Sequence, residues 1–396
     1  MEIHIGVGAS SESDEITAVR EALRQARLKI PSERIDLAII FTTINFSYSS
    51  ILKTISLYLK DTPLIGCSGA AVISHKGIFK HGIVIMLLNI PEGVYFNTAS
   101  VTDIKAKGAL NAGEELGEKL LYGFQGVRRD FGITFSDGLI DETSNFIFGL
   151  QEKLGKSFPL AGASASDDLL FKKTYVYYNQ NVMNDAACGL LWGGKLNFGL
   201  GVKHGWKPLG KPRHVTKSND NVVHEIDGYA AANIYKDYLA SDLENLKKEI
   251  KRISILYPIG IYLSGEEEYL LRNLLAIRDD GSLVLQGNVP EGSQIRLMIG
   301  TKESCLLATH QAIEEVMLGL GARKINLLLV FDSVSRYILL GRRAEEELKI
   351  IRKTLGEDTQ IAGLYTFGEQ APLRAINYQG VTRLHNQTIT LVGIGG

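Results

Sequence analysis

The chain has 396 residues, 45% of them hydrophobic and 22% charged, which is enough for a full core and more than a typical single domain needs. Its 43 basic and 44 acidic residues nearly cancel, so there is no electrostatic footprint for nucleic acid or for an anionic membrane. No apolar run approaches the roughly 20 residues needed to span a bilayer, and Cys67, Cys188 and Cys305 are too far apart for a disulfide framework or a clustered-thiol zinc site, which fits a reducing cytoplasm.

The first predicted strand, residues 3–7, lacks the basic-then-apolar pattern of a signal peptide. It runs into a helix on which Ala18, Ala22 and Ala26 form a smooth ridge suited to close packing on a sheet. A unit that recurs three times follows: a hydrophobic strand, a helix, and a second strand ending in glycine and small polar or aromatic residues. The first copy opens at residues 36–41 and closes on Ile65-Gly66-Cys67-Ser68-Gly69. Predicted strands at 82–88 and 94–101 and a helix at 107–121 lead to the second copy. It opens at 130–135 and closes on Ala161-Gly162-Ala163-Ser164-Ala165-Ser166. Residues 174–178, 187–192 and 196–202 read as antiparallel strands, so strand-helix-strand followed by strands occurs twice in the first 205 residues.

The stretch Gly205-Trp206-Lys207-Pro208-Leu209-Gly210-Lys211-Pro212 marks the expected boundary between a domain at 1–212 and a domain at 213–396. Beyond it, residues 213–225 read as a hairpin, and a helix capped by Asp227 is expected from about 229 to 252. Strands follow at 257–263, 270–278, 282–287 and 294–299, with a hairpin turn at Asp279-Asp280-Gly281. A helix at 303–320 precedes the third copy, which opens at 326–331 and closes on Ala362-Gly363-Leu364-Tyr365-Thr366-Phe367-Gly368-Glu369. The fold class is therefore α/β: two domains of mixed sheets with helices, built on three strand-helix-strand repeats, with a hairpin-rich region opening the second domain.

Ligands of open α/β sheets bind at the carboxyl ends of parallel strands, so three similar strand ends point to one pocket edge. Gly6-x-Gly8-x-x-Ser11 lacks a third glycine and a following acidic residue, and reads as a tight strand-to-helix turn rather than a dinucleotide site. Cys67 sits where backbone N–H groups could serve an oxyanion, yet its repeat mates are Ala163 and Leu364 and no His-acid partner is visible by spacing. It is read as a pocket-lining thiol, with acyl or thiol chemistry as the alternative. His204, His214 and His224 have no metal-ligand spacing, and neither a metal nor a cofactor is expected. The Asp167-Asp168 pair lies at the expected pocket edge. The segment from Gly363 to Pro372 gathers aromatics, a hydroxyl and Glu369 between glycines.

Gly66-Cys67-Ser68, Ala161 to Asp167 and Tyr365 to Glu369 resemble the signature stretches of FIST proteins. So do His224 to Ala230, Ile295-Arg296 and His385-Asn386-Gln387-Thr388, and the six fall in the family's order. Gly69-Ala70-Ala71-Val72 replaces the usual acidic continuation of the first motif. The resemblance implies an N-terminal and a C-terminal FIST domain in an intracellular sensory protein that binds a small molecule, with amino acids proposed as ligands. It further implies a separate signalling partner such as a histidine kinase or chemoreceptor, because no output module accompanies the two domains. In this reading Arg296 takes a ligand carboxylate. Glu369 and Asp167 take an ammonium, and Cys67, Ser68, Ser164, Ser166, Tyr365 and Phe367 shape the walls.

Overall fold

The computed structural model describes residues 3–266, 268–373 and 380–395. A first round of elements comprises β1 (His4–Ser10), α1 (Glu15–Arg27), β2 (Leu37–Thr43), α2 (Tyr48–Leu59), β3 (Leu64–Gly69), a hairpin of β4 (Val72–Ser74) and β5 (Gly77–Phe79), and β6 (Ile83–Asn89). The same order returns as β7 (Tyr95–Thr102), α3 (Ile104–Lys107) with α4 (Ala109–Leu121), β8 (Arg129–Ser136), α5 (Thr143–Leu154), β9 (Leu160–Ser164), a hairpin of β10 (Val176–Tyr178) and β11 (Asn181–Met183), and β12 (Ala186–Gly193). A third round opens with β13 (Asn197–Lys203) and is then interrupted. The insertion holds β14 (Lys207–Asn219), β15 (Val222–Ile226), β16 (Tyr229–Ala230), α6 (Asn233–Leu239), α7 (Leu243–Lys248), α8 (Ile250–Leu256), β17 (Ile259–Ile261), β18 (Leu270–Arg272), β19 (Leu274–Ile277), β20 (Leu283–Leu285) and β21 (Gln294–Ile299). The third round resumes with α9 (Lys302–Leu320), β22 (Ile325–Ser333), α10 (Val334–Leu340), α11 (Ala344–Leu355), β23 (Gln360–Thr366), a hairpin of β24 (Gly368–Pro372) and β25 (Thr382–His385), and β26 (Ile389–Gly395).

Each round builds the same six-stranded sheet: β1-β6-β2-β3, β7-β12-β8-β9 and β13-β26-β22-β23, each completed by two strands of another round. β10 of the second round pairs with β3, β24 of the third with β9, and β4 of the first with β23, all antiparallel. The exchange is cyclic. It covers the unpaired edge that each parallel strand pair would otherwise present. The strands at 174–178, 187–192 and 196–202, expected as one antiparallel group, instead enter three different sheets.

Three parallel pairs align the repeats. Gly66 lies opposite Ile40, Gly162 opposite Thr134, and Gly363 opposite Val330, at the same step of each unit. A Cβ at any of the three would come within 2.2 Å of the opposing carbonyl oxygen, so glycine alone fits. The next residue pairs with a phenylalanine in every case: Cys67 with Phe41, Ala163 with Phe135, Leu364 with Phe331. These phenylalanines meet edge to face, with centroids 5.5, 5.8 and 6.3 Å apart. They sit in one apolar core formed by the inner faces of all three sheets. Helices α1, α2, α4, α5, α9 and α11 cover the outer faces. Because both faces of β2 and β22 are covered, their sequences read as continuous apolar runs rather than alternations. Gly6 and Gly8 lack the side chains that would strike the Ala26 and Ala22 carbonyls of α1, and Gly199 and Gly201 do the same for α9. The Gly6-x-Gly8 pattern thus serves helix-on-strand packing.

The insertion forms a separate eight-stranded sheet with its own core. The boundary expected at residue 212 falls inside β14, and the sheet of the third round takes β13 from before it. The single helix expected from 229 to 252 is three short ones. Ala240 is left-handed at φ 49°, Asp242 caps α7, and Asp227, itself left-handed, accepts the N–H of His214 rather than capping a helix.

Truncating one phenylalanine of the triad opens a cavity shared by three sheets. Phe135→Ala is expected to lower unfolding stability by roughly 3–5 kcal/mol, while Leu57→Ala, on an exposed face of α2, stays within about 0.5 kcal/mol. Urea denaturation of both variants checks this, and similar losses for the two would show that the triad does not hold the sheets together.

Candidate site where the strand ends meet

The hairpin exchange forces the three strand ends together, and they bond to one another. Ser68 Oγ donates to Ser166 O at 2.8 Å and accepts from the N–H of Tyr175. Ser166 Oγ donates to Tyr365 O at 2.6 Å and accepts from the N–H of Ala70. Phe367 donates its N–H to Ser164 O, and Ser164 Oγ lies 3.3 Å from Ser136 Oγ. The structure thus gathers Ser68, Ser164, Ser166, Tyr365 and Phe367, and protein partners already take these polar contacts. Asp167 belongs to the same group. Its buried carboxylate accepts N–H bonds from Leu170, Phe171, Lys172 and Lys173 at 2.7–3.2 Å. That clasp holds Leu169 and Phe171 at positive φ and lays the half-exposed Phe171 ring flat on Phe367, 4.2 Å away.

Two residues stand elsewhere. Cys67 faces the phenylalanine core rather than a pocket wall, because alternation along β3 turns it opposite to Ser68. Burial raises its thiol well above the usual range. Arg296 lies on β21 of the inserted sheet and donates to Gly210 O at 3.3 Å, apart from the strand ends.

The third round departs from the other two beneath this node. Val72 and Val176 occupy the core position of their crossing hairpins, and the equivalent residue of the third hairpin is Glu369. It is fully buried and accepts from Thr366 Oγ1 at 2.8 Å and from both Thr388 N–H and Oγ1. Burial pushes its carboxyl up to about 8 against the pull of these bonds. Nearby, Arg336 is completely enclosed. It binds Asp332 at 2.9 Å, Glu347, Thr309 and the carbonyls of His204 and Cys305. Burial alone would lower Arg336, and Glu347 and Asp332 more than offset it, whereas burial and Glu347 raise Asp332.

The same side of the third round meets the insertion through polar side chains. Gln387, left-handed at φ 62°, donates from Nε2 to Ser254 O and Asn273 Oδ1, and its buried Oε1 has no partner among the described residues. Asn386 Oδ1 accepts the N–H of Asn273, and Gln286 Nε2 donates to Phe367 O. Next to Asn273, and among the described residues, the buried Arg272 donates only to the carbonyls of Asn288, Leu271 and Leu384 and has no carboxylate partner. Burial, with Arg383 close by, lowers its pKa to about 9. His385 Nε2 donates to Ala371 O, and burial keeps the ring neutral, its pKa held down to about 3. Arg272, Asn273 and Gln286 escaped the sequence reading, although an Arg-Asn pair set between Leu271 and Leu274 was the available signal. Among the described residues no group of acidic, histidine and cysteine side chains is placed to hold a metal ion.

Two family models cover this arrangement. The FIST N domain matches residues 36–229 and the FIST C domain residues 231–372. The chain belongs to the FIST family. FIST domains are small-ligand sensory domains of signalling proteins. The two models meet inside the inserted sheet, so the family's sequence modules do not coincide with the three rounds. An uncharacterized protein of Methanocaldococcus jannaschii is 26% identical over 253 residues, a match spanning 59% of this chain and 48% of that protein. The chain thus spans about half the length of that relative. An uncharacterized protein of Mycobacterium tuberculosis strain H37Rv is 22% identical over 390 residues, covering 95% of this FIST chain and 96% of the relative. No helix among the described residues is long and apolar enough to cross a membrane.

The buried acid sets a pH dependence. With a folded pKa of about 8 against an ordinary 4.5, folded Glu369 holds a proton that the unfolded chain has released between those values. Its contribution is present below pH 4.5 and is lost as pH rises toward 8. Glu369→Gln keeps the shape and removes the titration, so its urea midpoint should fall less than the native one between pH 5 and pH 8. Parallel pH profiles would mean that Glu369 is ionised in the folded chain.

Proposed function

We propose that this FIST protein senses a small carboxylate-bearing ligand at the junction of the third round and the insertion, and passes the signal to a separate partner. The observation that carries the reading is Arg272, a buried guanidinium bonded only to backbone carbonyls and lacking an acidic partner among the described residues. A buried cation without an anion is costly, and a carboxylate matches its fork. Arg272's neighbour Asn273 bonds to both Asn386 and Gln387, and the buried Oε1 of Gln387 can accept from an ammonium. An amino acid offers both groups, which is why it is the ligand class we favour. Arg272 replaces Arg296 as the carboxylate partner in this reading, and Gln387 replaces Glu369 and Asp167, whose oxygens already serve protein donors.

Signal transfer follows from where these groups stand. Asn273 and Ser254 belong to the insertion, Asn386 and Gln387 to the third round. A ligand held by both favours the arrangement that binds it better, by no more than its difference in affinity for the two arrangements. A partner, of the histidine kinase or chemoreceptor kind, then reads the insertion's position. The enzyme alternative rests on Cys67, whose thiol is buried and raised beside Cys188 and Tyr177 rather than paired with a base that would activate it.

A thermal-shift screen of L-amino acids and small carboxylates, followed by calorimetry, tests the proposal. At least one such compound should raise Tm without turnover. Arg272→Lys should weaken its binding at least about tenfold, roughly 1.4 kcal/mol. Cys67→Ala should leave binding within about threefold, since a core thiol contributes packing alone. Unchanged affinity in Arg272→Lys overturns the site, and loss of a turnover in Cys67→Ala would install the enzyme reading.

A further inference from the structure

We propose that the hairpin turn donated by the first round, seated between α1 and α11, is a binding site for a phosphate group. The turn is His75-Lys76, between β4 and β5. Three contacts fix it: Lys76 N–H to Ser74 Oγ at 3.1 Å, Lys76 Nζ to Gln25 Oε1 of α1 at 2.8 Å, and Ile78 N–H to Glu345 Oε1 of α11 at 3.1 Å, while Lys29, just beyond α1, reaches Val7 O and Gln360 Oε1. Arg352 stands two turns along α11 from Glu345.

The turn therefore collects Lys29, Lys76, Arg352 and His75. Among the described residues none of the three cations forms an ion pair, and the two ammoniums are met only by neutral amide or backbone oxygens. Arg352 Nε and Nη2 and His75 Nδ1 are buried and bond to none of the described residues. Burial and the three cations hold the His75 ring neutral, down to about 4, with no carboxylate acting in the other direction. Orphaned guanidinium N–H groups are expensive, since they lose water without gaining an acceptor. What suits two guanidinium N–H groups, two ammoniums and an imidazole at once is a compact, multiply charged anion with acceptors on several sides. A carboxylate has too few oxygens for that set, and phosphate has enough. Inorganic phosphate and the phosphate of a small monoester share this chemistry. The site lies on the first-round hairpin and α11 and uses none of the residues of the proposed carboxylate site.

The full chain titrated calorimetrically with inorganic phosphate and with glycerol phosphate, against chloride at matched ionic strength, tests this. Saturable binding of either is expected, and the tighter of the two identifies the source. Arg352→Gln should weaken it at least about tenfold. Lys76→Gln, at an exposed position, should weaken it severalfold without disturbing the fold. The His75 imidazole signal in NMR should titrate at higher pH when phosphate is present, because an anion favours the charged ring. Phosphate that acts no more strongly than chloride, or binds equally to both variants, overturns the site.

Discussion

Everything in this molecule hangs on the meeting of Phe41, Phe135 and Phe331. Each comes from the second strand of one round, and each touches the other two edge to face. Aromatic pairs of this kind contribute about 0.5–1.5 kcal/mol each beyond the area they bury, but their larger consequence is geometric. Three parallel pairs whose inner faces share one core must bring their carboxyl ends to one place. The hairpins that leave those ends have nowhere to go but the neighbouring sheet's free edge. Cyclic exchange of β4, β10 and β24, and the knot of Ser68, Ser166 and Tyr365, follow from that constraint.

Near-symmetry makes the exceptions informative. Equivalent positions that are valine in two rounds become Glu369 in the third, and Thr390 stands where the others have Val84 and Cys188. Both are fully buried, and Thr390 Oγ1 has no partner among the described residues. The Asp332-Arg336-Glu347 cluster and the insertion also belong to this round. Buried polar groups of this kind tend to replace better-packed apolar ones at a cost in stability. Their concentration in one round of three sets that round apart from the other two.

Much of the frame was legible in the sequence. The three hydrophobic strands, their closing glycines and the alanine ridge of α1 carry strong local signals, and glycine at 66, 162 and 363 reflects a carbonyl that leaves no room for a Cβ. The exchange was not legible, because β4 and β10 are three residues long and β24 five. Such segments carry no periodicity that names a partner strand. Nor was the insertion, since residues 207–212 of the Gly-Pro stretch are absorbed by β14 rather than forming a linker. The site was half legible. Strand-end serines, Tyr365 and Phe367 do converge, but Cys67 and Ser68 alternate to opposite faces of β3, and only one can face the strand-end node. Arg272 was missed because a single cation in an apolar strand has no spacing pattern, and its contacts with Asn288 and with Leu384 of β25 arise only on folding.

The central claim is that a small carboxylate is read where the insertion meets the third round. The most direct measurement is a crystal structure of the full chain grown with whichever amino acid or carboxylate most raises its Tm. The account predicts density with its carboxylate on the Arg272 guanidinium and a donor facing Gln387 Oε1. Ligand density elsewhere, with Arg272 still bonded to the Asn288, Leu271 and Leu384 carbonyls alone, would contradict it.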